Sequence, residues 1–86
     1  MSLNGRNQAW TGAYEYLVAK LKEARLAAGL TQYEVATRLE RPQSFVSKIE
    51  TSGHGVYAID LMILARIYNK PIAYFMKDGV VTFTTI

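Results

Sequence analysis

The sequence contains no cysteine and only one histidine, His54. A chain without cysteine forms neither disulfides nor thiolate metal sites, which is compatible with a reducing cytoplasm. A single histidine does not assemble a histidine metal cluster. Only seven carboxylates are present, none clustered at a useful spacing, and no glycine-rich loop is suited to cradle a phosphate. These shortages argue against an enzyme and predict no cofactor.

Long apolar runs are also missing, and no signal peptide opens the chain. We therefore expect a cytoplasmic protein with no membrane partner. Eighty-six residues allow one domain, and a hydrophobic fraction of 50% is normal for a folded core. The net charge of +3 indicates a mild preference for anionic partners, but it is not a polybasic signature.

Apolar residues recur at helical spacing over most of the chain. The spacing predicts a long helix over 14–28, closed by Gly29 as a left-handed cap. It predicts another helix over 58–69 and a short one that Pro71 opens and that runs to about Met76. The residues expected to face the core from these helices are Leu17, Leu21, Ala24, Ala28, Leu61, Leu64, Ala65, Tyr68, Ile72 and Phe75.

Two short helices lie between these longer ones. Thr31 is a good N-cap for the first, and Glu34, three residues later, completes a capping box. The segment Glu40-Arg41-Pro42 breaks the pattern, and Pro42 suits the first turn of a second helix over 42–52. The apolar faces of the pair consist of Val35, Ala36, Leu39, Val46 and Ile49, while Ser44, Ser47, Lys48 and Thr51 point roughly the other way. Helices this short are stable only when packed against neighbours.

Four segments in this order carry a family resemblance: LKEARLAAGLTQ, EVATRL, PQSFVSKIE and LARIYNKPIAYF. They resemble the helix-turn-helix proteins of the phage lambda repressor and Cro family, also called the Xre family, over about residues 14–75. The resemblance implies an all-α fold, a five-helix lambda-repressor-like DNA-binding domain over 13–77. A flexible N-terminal arm over 1–12 precedes it, and a short extended C-terminal tail over 78–86 follows.

The resemblance implies a sequence-specific DNA-binding transcriptional regulator of bacterial or phage type, with the helix over 42–52 in the major groove. Gln43, Ser44 and Lys48 match the family's main base-reading positions, and Ser47 is a lesser candidate. Phe45 either contacts a thymine methyl or is partly buried between the helices, and we favour burial.

Other positions match residues that contact the DNA backbone or hold the fold in this family. Backbone contacts are expected from Gln32, Arg41, Thr51 and His54. A solvated loop residue is an equal interpretation of His54. The resemblance also implies a structural ion pair between Arg25 and Glu50, which we favour over a phosphate contact by Arg25.

One domain of this size covers about one half-site, so the expected partner is double-stranded DNA with a palindromic operator, bound by a homodimer. The apolar surface beyond the core stripe predicts a dimer interface at Met62, Ile63, Ile67 and Tyr74, together with the tail. Repression would follow from occluding a promoter and activation from touching polymerase; repression is the favoured interpretation. The alternative is an antitoxin or other protein-interaction module whose tail binds a toxin or another partner protein.

The two ends of the chain leave alternatives open. Trp10 either packs back onto the domain or a second subunit, or belongs to an arm in which Arg6 follows the DNA backbone. The tail is β-branched and aromatic, which favours an extended strand. Such a strand pairs with a symmetry mate, packs on its own domain, or docks a partner.

Overall fold

The structure is a computed structural model that describes residues 2–77, and the side chains of residues 12–77. Within this part of the chain all regular structure is helical, as predicted. The elements are α1 (Ser2–Ala27), α2 (Gln32–Leu39), α3 (Gln43–Ile49), α4 (Ala58–Tyr68) and a 3-10 helix (Ile72–Phe75). The predicted fifth α-helix is thus a single 3-10 turn. Across residues 2–77, no helix combines the length and apolar character that a membrane crossing requires.

Helix α1 is longer than the sequence predicts, because it begins at Ser2 and not at Tyr14. The predicted loose arm over residues 1–12 is therefore wrong for the backbone that the structure describes. The segment contains no proline, and extending a helix costs much less than starting one. Gly5 and Gly12 lower its helical propensity by about 1 kcal/mol each without ending it. The side chains of Arg6 and Trp10 lie outside the described part.

The first short helix, α2, starts as predicted. The Glu34 amide donates to Thr31 Oγ1 at 3.1 Å, and the Thr31 amide donates to Glu34 Oε1 at 2.8 Å. This second bond is the main reason that the pKa of Glu34 lies below its ordinary value. The helix ends because Glu40 adopts the left-handed conformation at φ 59°, while the Arg41 amide bonds to Ala36 O at 3.0 Å. The chain therefore turns at Glu40, within the predicted break over residues 40–42.

Helix α3 spans Gln43–Ile49 and is shorter than the predicted 42–52. Pro42 is its N-cap, with ψ 151°, so the proline precedes the helix and does not form its first turn. At the other end the Thr51 and Ser52 hydroxyls donate to the carbonyls of Ser47 and Lys48. The Thr51 hydroxyl occupies the Ser47 carbonyl, and the Thr51 amide bonds instead to Lys48 O at 3.1 Å, which interrupts the regular helical pattern there.

The core lies where α2 packs on α3 and α4, and α1 packs on α4 and the 3-10 helix. Its buried apolar residues are Leu21, Ala24, Val35, Ala36, Val46, Ile49, Leu64, Ala65, Tyr68 and Phe75. Leu17, Leu39 and Leu61 are only partly buried against it. Two predicted core residues are exposed: Ala28 lies past the end of α1, and Ile72 stands at the start of the 3-10 turn with 38% exposure.

Candidate nucleic-acid interface

The outer side of α3 is polar, and its inner side is fixed in the core. Val46 and Ile49 anchor the helix, with exposures of 0% and 1%. The four predicted base-reading residues all lie on this helix: Gln43, Ser44 and Lys48 are exposed, and Ser47 is half-buried. The helix therefore presents amide, hydroxyl and ammonium groups on a rigid support.

The side chain of Gln43 is held from the neighbouring helix. Its Nε2 donates to Gln32 Oε1 at 2.8 Å, and Gln32 Nε2 donates to Glu50 Oε1 at 3.1 Å. The structure thus brings a predicted base reader, a predicted backbone contact and a predicted ion-pair member into one hydrogen-bonded row. An amide has two N–H donors and a carbonyl acceptor, so Gln43 retains groups for a further partner.

The row ends in a buried ion pair between Arg25 and Glu50, each 8% exposed. Arg25 Nε donates to Glu50 Oε2 at 2.7 Å and Nη2 to Oε1 at 3.1 Å, while Nη1 donates to Leu30 O at 2.9 Å. The hydrogen bond to Glu50 raises the pKa of Arg25. Burial, with a smaller contribution from Glu50, raises the pKa of the Tyr68 hydroxyl. The pair ties α1 to the residue that follows α3.

Arg41, a predicted backbone contact, is engaged within the protein. Its Nη2 lies 3.1 Å and 3.2 Å from the two carboxylate oxygens of Asp60, and its guanidinium stands 4.2 Å from the centre of the Phe45 ring. Asp60 also accepts from the Tyr57 amide at the start of α4. Phe45 is half-buried against the core, in line with the favoured interpretation. Arg41 therefore joins the turn before α3 to α4.

The last two predicted backbone contacts lie beyond α3. Thr51 is exposed, and its Oγ1 donates to Ser47 O at 2.8 Å. His54 is exposed too, and its ring stacks on Tyr14 with centroids 4.2 Å apart and planes at 23°. His54 is thus a surface residue whose ring packs on an aromatic side chain of α1, so water does not surround it on every side.

Gly53 explains how this loop approaches α1 so closely. It is buried with φ 74°, and a Cβ added there would lie 2.9 Å from Tyr14 Cδ1 and 3.2 Å from Val18 Cγ2. The sequence indicates a glycine-bearing loop at this place but not this contact. The need for glycine at position 53 arises from the position of α1 next to the loop, and the local sequence does not specify that position.

The four predicted dimer-interface residues differ in exposure. Met62 and Ile63 are 54% and 39% exposed on α4. Ile67 and Tyr74 are half-buried and pack against the core. Tyr74 also lies beneath two ammonium groups, those of Lys20 at 5.1 Å and Lys70 at 4.8 Å. Only Met62 and Ile63 of this set therefore stand out from the surface.

A family model described as a helix-turn-helix domain matches residues 17–71, which is more than half of the chain. The chain belongs to the helix-turn-helix domain family. This confirms the family resemblance stated above. No curated protein and no solved structure matches the chain. In this helix-turn-helix domain, α2 and α3 are the paired helices and residues 40–42 form the turn between them.

Helix-turn-helix domains bind DNA by laying the second helix of the pair in the major groove. The polar outer side of α3 is the candidate for the corresponding surface here. Within residues 2–77, no group of three histidine, cysteine, aspartate or glutamate side chains is placed to hold a metal ion. Two contributors to this site were missed by sequence reasoning, Asp60 and Gly53. An acid three residues after a helix start is a capping signal that would have found Asp60.

Proposed function

We propose that this helix-turn-helix protein is a sequence-specific DNA-binding regulator of transcription, of bacterial or phage type, and that it acts as a repressor. The observation that carries the proposal is the exposed polar face of α3, on which Gln43 is held by Gln32. A side chain fixed before binding loses less conformational freedom when it contacts a base.

In the proposed complex α3 lies in the major groove. Gln43 reads adenine through paired amide bonds, since its donor and acceptor match the exposed edge of that base. Ser44 and Lys48 read neighbouring positions, with Ser47 nearer the groove wall. The start of α2 lies against the DNA backbone, where Gln32 and the free helix amides meet phosphates. Such contacts set position and affinity without reading sequence.

Two copies bind a palindromic operator with half-sites about one DNA turn, ~34 Å, apart. Met62 and Ile63, exposed on α4, support a homodimer interface. Bound across a promoter, the dimer represses by excluding polymerase. The alternative, in which the tail docks a toxin or another protein, depends on residues outside the described part. The described fold offers no observation that favours it.

Selection from a pool of random duplexes at two salt concentrations tests the proposal. We expect enrichment of a palindrome with half-sites one turn apart. Phosphate attraction weakens steeply as salt rises, whereas base contacts distinguish one sequence from another. Weak, strongly salt-dependent binding without an enriched motif would contradict the proposal.

Gln43→Ala is expected to weaken binding to the selected site by roughly 1–3 kcal/mol and to relax discrimination at one or two base pairs. The measurement is a titration of the variant with the selected duplex, its point mutants and random DNA. Thr37→Ala is the control, because this exposed hydroxyl on α2 bonds to Tyr33 O in its own helix, and it should leave discrimination unchanged. Equal losses on the selected site and on random DNA would remove Gln43 from the base-reading set.

A further inference from the structure

An apolar groove of about 530 Å³ runs between α4 and the 3-10 helix. Ala58, Leu61, Met62, Ala65, Ile72 and Met76 line it, with Arg66 and Lys70 completing its edge. Met62 and Ile72 are 54% and 38% exposed. These side chains form a continuous apolar surface that further apolar residues could cover.

We propose that residues 79–86 of the same chain fill this groove. Met76 lines the groove, and its backbone is already extended, with φ −113° and ψ 118°. The segment therefore begins three residues after a residue in the groove wall. Because it is tethered there, its effective concentration at the groove exceeds that of any free competitor at ordinary protein concentrations.

The length of the segment fits the groove. Eight extended residues span about 26–29 Å at 3.3–3.6 Å per residue. Helix α4 has 11 residues and is about 16 Å long at 1.5 Å per residue. The segment is thus long enough to run the full length of α4, with residues to spare for the reversal after Lys77.

The chemistry of the segment fits as well. Residues 79–86 read GVVTFTTI, which is uncharged and rich in β-branched side chains. In an extended chain alternate residues share a face, so Val81, Phe83 and Thr85 lie on one face and Val80, Thr82, Thr84 and Ile86 on the other. The first face has adjacent apolar positions, Val81 and Phe83, whereas two threonines separate the apolar ends of the second. Asp78, the only charged residue after Lys77, precedes the segment, and the groove edge carries the cations Arg66 and Lys70. Ile59 and Ile63 lie outside the groove lining and stay accessible to a second copy. This inference therefore leaves Ile63 in the proposed dimer interface and places Met62 under the segment.

Because the chain has no cysteine, cross-linking through two introduced thiols tests the placement directly. In the full-length Met62→Cys/Phe83→Cys variant, a short bismaleimide should link the two thiols within one chain at low protein concentration. Tyr33→Cys/Phe83→Cys is the control, because Tyr33 is 71% exposed on another helix, α2, and does not line the groove. We expect at least a five-fold lower yield from the control.

Chain-to-chain linkage as the main product of the Met62 pair would overturn the proposal and assign the groove to a second copy. No linkage, or equal yields from the two pairs, would overturn it as well. These readouts use the protein without DNA. A failed cross-link therefore leaves the proposed DNA-binding function standing, and a failed operator selection leaves this inference standing.

A second pair of variants tests the same contact through stability. Phe83→Asp should lower Tm by about 4–8 °C, because it places a charge against the apolar groove. Thr84→Asp adds the same charge on the opposite face and should leave Tm within about 2 °C of wild type. Equal shifts in the two variants, or none in either, would overturn the placement.

Discussion

Arg25→Ala is expected to lower the free energy of unfolding by about 3–5 kcal/mol. The change leaves Glu50 buried without its 2.7 Å partner, and it removes the donor to Leu30 O. Breaking a buried pair from one side is costly because the remaining charge, here left with the Gln32 amide, has lost its ionic partner and most of its water. A domain of this size has only about 5–15 kcal/mol of stability, so the variant should be partly unfolded when warmed. Urea unfolding at low temperature, followed by circular dichroism, measures the effect.

The control for this prediction is Glu23→Ala, which breaks the ion pair between Lys20 and Glu23 and leaves the Lys20 ammonium over the Tyr74 ring. That pair has a similar N–O distance, 3.0 Å, but Glu23 is 57% exposed. Exposed pairs contribute little because water and salt screen both charges. The urea midpoint of this variant should therefore stay close to wild type. If Arg25→Ala unfolded like wild type and lost only DNA affinity, Arg25 would be a phosphate contact.

Gly53→Ala is expected to cost about 2–4 kcal/mol, the second-largest effect. The added methyl group meets Tyr14 Cδ1 at 2.9 Å, and the residue must also hold φ 74°. To relax the contact, either the Tyr14 ring must rotate or the loop must move away from α1, and both changes disturb the stacking of His54 on Tyr14. Thermal unfolding of the variant beside wild type measures the loss.

The chain offers a matched control at two other glycines. Gly29 and Gly55 have φ 74° and 86°, and nothing lies within 4 Å of a Cβ at either. Alanine there should cost only the backbone strain, about 1–2 kcal/mol. The excess loss at Gly53 isolates the steric contact with α1. If all three variants lost the same stability, the close approach of the loop to α1 would be wrong.

Features set by a few neighbouring residues were predictable from the sequence. The Thr31 capping box and the left-handed Gly29 depend on local backbone chemistry, and both are present. The start of α1 was not predictable in this way. The conformation of a glycine-containing segment next to a stable helix depends on whether that helix propagates into it, and not on local propensity alone. The left-handed conformation of Glu40 was not predicted, for a related reason. A non-glycine residue in the left-handed region costs energy locally, and the packing of α2 and α3 must offset it.

In the candidate site, too, local features were predictable and contacts between helices were not. The place of Gln43 at the start of α3 follows from the turn before it, and the resemblance then assigns it a role. Its bond to Gln32 joins residues on two helices, so it depends on the angle between those helices. Hydrophobic periodicity identifies the buried face of each helix but does not specify that angle. The contacts of Arg41 with Asp60 and of Gly53 with Tyr14 escaped prediction for the same reason.

In the hydrogen-bonded row, both amides donate toward Glu50: Gln43 donates to Gln32, and Gln32 donates to Glu50. A carboxylate only accepts hydrogen bonds, so Glu50 requires the Nε2 end of Gln32 to face it. The Oε1 atom of Gln32 then points away from Glu50 and accepts a hydrogen bond, so Gln43 must donate to it through Nε2. One buried charge thus sets the polarity of two amides in succession. A glutamine at position 50, equal in size but able to donate, would permit both amides to reverse. In the proposed complex with DNA, the base preference of Gln43 would therefore depend partly on Glu50, a residue that contacts no base.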